Sequence, residues 1–405
     1  MVAFSDYPER RSAWIYEFKQ WHGQLTDLAR HLVPDANVAL MTAICLGAGS
    51  VEPDTTADRQ QLVPAFEKLY RQHPQAAVHA AARFALTKWN VELPTVTAPK
   101  DAEWIATDLG FNLVRIRPGA FVRSRFTQGS KKDSGQQLPP EHQMVTIQKP
   151  FLAGDREVSV ELFYRFFDDP DWPEEQKPKS VPVKDPETGK TKVRKWSHHL
   201  NISRYKECPV QQVNFDDAIL FCNWLSHREG LQPCYKPRSA KRNEPSRWSF
   251  DTSANGYRLP TESEWEYFAR AGTRTFWHSG QDEVILTDYV AGIRNCDYGT
   301  KRCGSMFPSP WGLFDTHGNV REWCWDWNVP WPANTPAVVA GTGPDQPQPG
   351  KNKRVARGGC FTDRAEPMRS DRRSAGDPRG SSSRQSRVGL RVVRNAEDFE
   401  SGPVN

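Results

Sequence analysis

The sequence contains no run of 18 consecutive apolar residues, and Met1 to Arg11 lack the basic start and apolar stretch of a signal peptide. A membrane span is thereby excluded as an organising element, and a soluble cytoplasmic chain with no membrane partner is the expectation. Also missing are the phosphate-cradling G-x-x-x-x-G-K-[ST] loop, the G-x-S-x-G nucleophile turn, the H-E-x-x-H zinc helix and the G-x-G-x-x-G dinucleotide turn. Cysteine is sparse, with eight residues dispersed over 405 and none after Cys360, which suits reduced thiols better than a disulfide framework. Cys296 and Cys303 stand close in one loop and read as two ordinary thiols, with a disulfide or a shared metal as the alternative.

What is present is the composition of a globular chain: 37% apolar, 25% charged and 15 Trp. The length accommodates one large domain and a smaller one. Residues 1–92 carry apolar residues at helical spacing: Trp14 to Leu32, Val38 to Leu46, Leu62 to Tyr70 and Val78 to Trp89, punctuated by Pro34, the Gly47 to Pro53 turn and Pro74. Four helices in two antiparallel pairs would form a small HEAT-like block. Two pairs barely bury a core, so the block either docks on its neighbour or belongs to a longer array. Residues 93–110, with Pro94 and Pro99, read as a linker. Residues 111–396 read as the main domain, with insertions near 172–199 and 329–353 that read as surface excursions. Strands are expected at Asn112 to Arg117 and Met144 to Ile147, and helices near Val160 to Phe167, Phe215 to Gly230 and Thr261 to Ala271. Thr261 and Glu264 form a capping-box pattern. Trp323, Trp325 and Trp327 alternate with Glu322, Cys324 and Asp326, the pattern of a strand with one aromatic face packed in a core.

Three ordered motifs carry a resemblance. Gly312-Leu313-Phe314-Asp315-Thr316-His317-Gly318-Asn319-Val320-Arg321-Glu322-Trp323 resembles G-L-x-D-x-x-G-N-V-x-E-W; Gly256-Tyr257-Arg258-Leu259-Pro260-Thr261-Glu262-Ser263-Glu264-Trp265-Glu266-Tyr267 resembles G-Y-R-L-P-T-E-A-E-W-E-Y; and Arg354-Val355-Ala356-Arg357-Gly358-Gly359-Cys360-Phe361 with Gly389-Leu390-Arg391-Val392 resembles the ends R-V-x-R-G-G-S-[WF] and G-F-R-V. These are signatures of the formylglycine-generating (sulfatase-modifying-factor) family. The resemblance implies an α+β, C-type-lectin-like domain behind the helical block.

The same resemblance implies losses. The family's oxidase holds copper on two cysteines about four and nine residues after the R-G-G pair, where this chain has Asp363 and, at or near the second position, Met368. A hard carboxylate and a neutral thioether do not replace a dithiolate, so no copper is expected. An H-x-x-x-H-x-E iron helix is absent too, so no iron is expected. The resemblance also implies a structural calcium ion beside the signature turn, with carboxylates from Asp315 and Glu322 and carbonyls from Gly318 and Val320, a donor set that suits calcium. The alternative is that the two acids bond loop amides or Arg321 without metal.

Charge is distributed unevenly. Lys351 to Arg394 holds 13 Lys/Arg against four Asp/Glu, a net of +9 in a chain of net +5. Arg364, Arg373, Arg384 and Arg387 flank a Gly/Ser-rich loop, and a basic face there suits a protein or other acidic partner; nucleic acid stays open as a partner, with no motif in its support. The expected role is a non-oxidase binding or scaffold module. Two others stay open: a metal-dependent oxidoreductase of the wider family, and a ligand-binding protein diversified by a retroelement.

Overall fold

The computed structural model describes residues 8–18, 23–33, 36–51, 56–125, 141–178, 181–184, 191–194, 197, 200–238, 248–329, 337–339, 352–376 and 387–396. Four helices open the chain: α1 (Pro8–Glu17), α2 (Val38–Gly49), α3 (Thr56–Gln72) and α4 (Ala76–Lys88). The first apolar stretch does not stay helical, because a separate 3-10 turn spans Leu25–His31. Asn37 caps α2, its side chain accepting from Leu40 N at 3.1 Å. The third helix runs through Pro64.

Three further helices lie where the apolar spacing places them: α5 (Val160–Phe167), α6 (Phe215–Arg228) and α7 (Glu262–Arg270). Ser159 caps α5. Capping boxes start both others, Asn214 with Asp217 on α6 and Thr261 with Glu264 on α7. A five-stranded antiparallel sheet orders Trp104–Ala106, Asn112–Ile116, Phe151–Gly154, Val393–Asn395 and Tyr257–Arg258. The last strand of the domain thus lies beside its early strands and closes it. A four-stranded sheet orders Ser374–Gly376, Arg354–Arg357, Arg321–Trp327 and Val388–Gly389. A third joins Ala337–Val339, Glu141–Ile147 and Gly119–Arg125.

Two boundaries differ from the sequence reading. Trp104–Ala106, inside the expected linker, is an edge strand paired with Asn112–Ile116; three residues are too short to show a period of two. Ala337–Val339, inside the second expected excursion, pairs in parallel with Glu141–Ile147. Most of the second insertion and part of the first lie outside the described residues.

The helical block is docked. Ile15, Met41, Leu62, Phe66 and Phe84 share one apolar core with Leu286, Tyr289, Phe307, Phe314 and Met368 of the main domain. The Phe84 and Phe307 rings meet edge to face at 4.9 Å. Trp104 Nε1 donates to the His73 carbonyl at 2.9 Å. His79 stacks 3.7 Å from Trp104 and is fixed in its neutral form: Nδ1–H donates to the Tyr70 carbonyl at 2.6 Å, and Nε2 accepts from Asn112 Nδ2 at 2.8 Å. Burial lowers its pKa to about 4.

Gly312, at φ +82, lies against the first turn of α4, where an added Cβ would sit 2.5 Å from the Ala76 carbonyl. Gly312→Ala should therefore destabilise the protein by more than about 1 kcal/mol, through left-handed strain and loss of this close approach. Melting with proteolysis of α4 as the readout checks this; an unchanged melt and unchanged cleavage of α4 would mean the block does not need the approach.

Candidate functional site

Strand Arg321–Trp327 is buried on both faces, one aromatic and one acidic. On the first, Trp323 Nε1 donates to the Val213 carbonyl at 2.9 Å, and Trp325 packs on Tyr235, Phe215 and Phe250. On the second, Arg391 grips Glu322, with Nη2 to Oε1 at 2.7 Å and Nε to Oε2 at 3.0 Å. Trp265 Nε1 donates to Glu322 Oε2 at 2.7 Å. Asp326 accepts the Glu262 amide at 2.6 Å. Helix α7 adds Glu262, paired with Arg373, and Glu266, paired with Arg123, Arg270 and Arg357. Burial, then repulsion from Glu262, raises the Asp326 pKa to about 7. Glu262 itself is held at about 2: burial works against that value, and Arg373 and Arg357 overcome it.

The signature turn leads into this strand. Asp315 and Asn319 are left-handed at φ 56 and 57, which short polar side chains tolerate, and Gly318 is at φ 93 beside the Ala291 carbonyl. Asp315 Oδ2 accepts the Gly304 amide at 2.5 Å. Its other oxygen is buried without a hydrogen bond. Glu157, from the segment before α5, braces the turn, accepting from Asn319 Nδ2 at 2.7 Å and from Val320 N at 3.0 Å. The Cys303 Sγ lies 3.8 Å from Glu157 Oε2. One ligand atom each from Glu157, Cys303 and Asp315 lies within 4.8 Å of the others, all three side chains being buried. Burial and then the neighbouring acids raise Glu157 well above the usual carboxylate range. Burial raises Asp315 to about 6 and Cys303 well above the usual thiol value.

The expected calcium set does not fit here as a unit. Each Glu322 oxygen already accepts two hydrogen bonds, and the guanidinium on them would repel a dication. Asp315 alone of that pair keeps an unused oxygen. A cavity of about 190 Å³ opens beside Glu157 and Cys303 and is lined also by Arg83, Arg156, Ser159 and Glu207, among others. Arg83 reaches it from α4; it is 7% exposed, and its Nε and Nη1 have no hydrogen-bond partner. Arg156 is already paired with Asp155 at 2.9 Å.

A family model described as the sulfatase-modifying factor enzyme 1-like domain matches residues 106–396. The chain belongs to this family. Among relatives of the FGE-sulfatase domain, a chaperone protein LppX from Paenibacillus barcinonensis is 35% identical over 199 residues, 41% of this chain and 71% of that protein. The formylglycine-generating enzyme of Streptomyces coelicolor is 34% identical over 211 residues, 48% of this chain, and the match spans 54% of the enzyme's own length. Among solved structures, Treponema denticola variable protein 1 has a TM-score of 0.53 at 25% identity, covering 71% of this chain and 95% of that one. PvdO from Pseudomonas aeruginosa, at TM-score 0.50 and 21% identity, covering 72% and 96%, shares the C-type-lectin-like fold.

Within the FGE-sulfatase domain the remaining expected residues fall as follows. Asp363 is ion-paired with Arg321 at 2.6 Å and accepts the Cys360 amide. Met368 is buried in the core shared with the helical block. His317 is a structural hydrogen-bonder, its Nδ1–H donating to the Met368 carbonyl at 2.9 Å. Arg364 and Arg387 are exposed. Arg384 lies outside the described residues. Arg373 is not a surface arginine: it is tied to Glu262 and to the Val329 carbonyl. All eight cysteines are buried and free. Sequence reasoning missed Glu157 and Arg83. No sequence pattern marks Arg83, which reaches the cavity only because the block docks.

Two outcomes follow from the acidic face. Arg373→Ser should cost on the order of 1–3 kcal/mol in melting, because Glu262 loses its bidentate partner inside the protein; a melt unchanged from wild type would put Arg373 back on the surface. Asp326 has a folded pKa of about 7 against an ordinary 3.8, so the folded state holds a proton the unfolded state releases. Its contribution is full below about pH 4 and falls as pH rises toward 7. Asp326→Asn should remove that slope; parallel stability curves for the two proteins would show Asp326 already ionised in the fold.

Proposed function

We propose that this chain is a non-oxidase member of the FGE-sulfatase family that works as a binding module. The observation that carries the reading is the environment of Asp363 and Met368, where the resemblance puts the oxidase cysteines. One is locked by Arg321 and the other is buried under the helical block, so neither side chain is available to a metal. A cysteine-containing sulfatase peptide with copper and reductant should give no aldehyde; aldehyde above background would refute the reading.

The recognition surface is the part of the basic C-terminal region that internal acids do not consume. Arg354, Arg357, Arg369 and Arg391 are buried, and Arg373 is paired, which leaves Lys353, Arg364 and Arg387 exposed among the described members of the region. Ile293, 52% exposed, lines the groove beside Arg364 and adds an apolar contact. An acidic protein segment is the partner this chemistry fits. Changing Arg364 and Arg387 together to Ser should leave stability within about 0.5 kcal/mol. Retention on an immobilised polyglutamate peptide should fall in this variant, and the wild type should release with salt. Equal retention of both proteins would place recognition elsewhere.

A further inference from the structure

The cluster beneath the signature turn goes beyond the binding-module reading and does not rest on it. Glu157, Cys303 and Asp315 come from three separate segments, which the fold brings together in a buried place. The Cys303 Sγ to Glu157 Oε2 separation of 3.8 Å is close to the spacing of two ligands on one tetrahedral ion, given metal–sulfur and metal–oxygen bonds of about 2.3 and 2.0–2.2 Å. Asp315 Oδ1 is buried and unpartnered, which is costly unless something positive meets it. Both Glu157 oxygens already accept amide protons, and each keeps a second lone pair for a metal. Asn319 and the Val320 amide thereby orient a ligand from behind, as outer partners do in metal sites.

The donor set decides the kind of ion. A thiolate with two carboxylates suits a borderline ion such as zinc better than calcium, which takes oxygen ligands in larger number. Three protein ligands also leave a tetrahedral ion one open position. Glu157 and Cys303 line the 190 Å³ cavity, and so does Arg83, whose Nε and Nη1 lack acceptors. A buried guanidinium with free donors beside a metal is built to hold an anionic group bound to that metal.

We propose that Glu157, Cys303 and Asp315 form a zinc-class divalent metal site whose open position faces the cavity, where Arg83 binds an anionic ligand. Binding releases the Cys303 proton to solvent and leaves the thiolate on the metal; no electron transfer is involved. The helical block then completes the site, since Arg83 comes from α4.

The test uses the full chain, stripped by chelator and titrated with cobalt(II) as a spectroscopic stand-in for zinc. One equivalent should bind and give a thiolate-to-cobalt charge-transfer band in the near ultraviolet. Cys303→Ser should lose the band, Cys296→Ser should keep it, and Asp315→Asn should weaken cobalt affinity by about tenfold or more, the effect of losing even an outer partner. Inorganic phosphate should shift the visible cobalt bands in the wild type and not in Arg83→Gln. Failure of the wild type to take up cobalt would overturn the proposal however the variants fold. So would a band that survives in Cys303→Ser, or thermal stabilisation by calcium with none by zinc. A phosphate shift that persists in Arg83→Gln would remove Arg83 from the site. Aldehyde formation would overturn the non-oxidase reading alone, so the two proposals fail separately.

Discussion

The pairing of Arg391 with Glu322 is the constraint on which the domain is built. Both side chains are at most 1% exposed. Arg391 also donates to the Gly154 and Phe314 carbonyls, at 3.0 and 2.7 Å. One guanidinium thus joins the five-stranded sheet, the entry to the signature turn and the central strand. Two charges taken out of water are expensive, and the cost is offset only when hydrogen bonds satisfy them. Here Trp265 completes Glu322, and two carbonyls complete Arg391. Breaking one partner would strand the other in the interior.

The same principle explains where the positive charge of the C-terminal segment goes. Arg357 meets Glu266 at 2.6 Å, Arg373 meets Glu262, and Arg369 meets Asp371. Arg354 lies 3.6 Å from the Trp327 ring centre. A segment that is basic in sequence is therefore largely an internal counter-charge to helix α7 and the central strand. The net acidity of the remaining chain is the other half of that balance.

Much of the fold was legible, and the limits have physical causes. Amphipathic spacing marked α5, α6 and α7, and the Thr261 and Glu264 pattern gave the start of α7, because capping is a local interaction. The alternating Trp residues marked the central strand and its aromatic face, but its acidic face was not recognisable as buried. Burial of Glu322 and Asp326 depends on Arg391 and on the Glu262 amide, both far away in sequence. The site was half legible for the same reason. Asp315 stands in a motif, whereas Glu157 and Cys303 reach it across long sequence separations. Arg373 read as an exposed loop residue because its partner, Glu262, lies 111 residues away.

The docked helices change what counts as the working unit of the family domain. The matched region begins at residue 106, yet Phe307, Phe314 and Met368 inside it pack against residues of the first four helices. A chain cut at that boundary would present an apolar surface to water at the very turn that defines the family. It would also lose the one guanidinium that α4 supplies to the cavity. Grafting or shuffling this domain therefore means moving the helices with it, as a lid fused to its vessel.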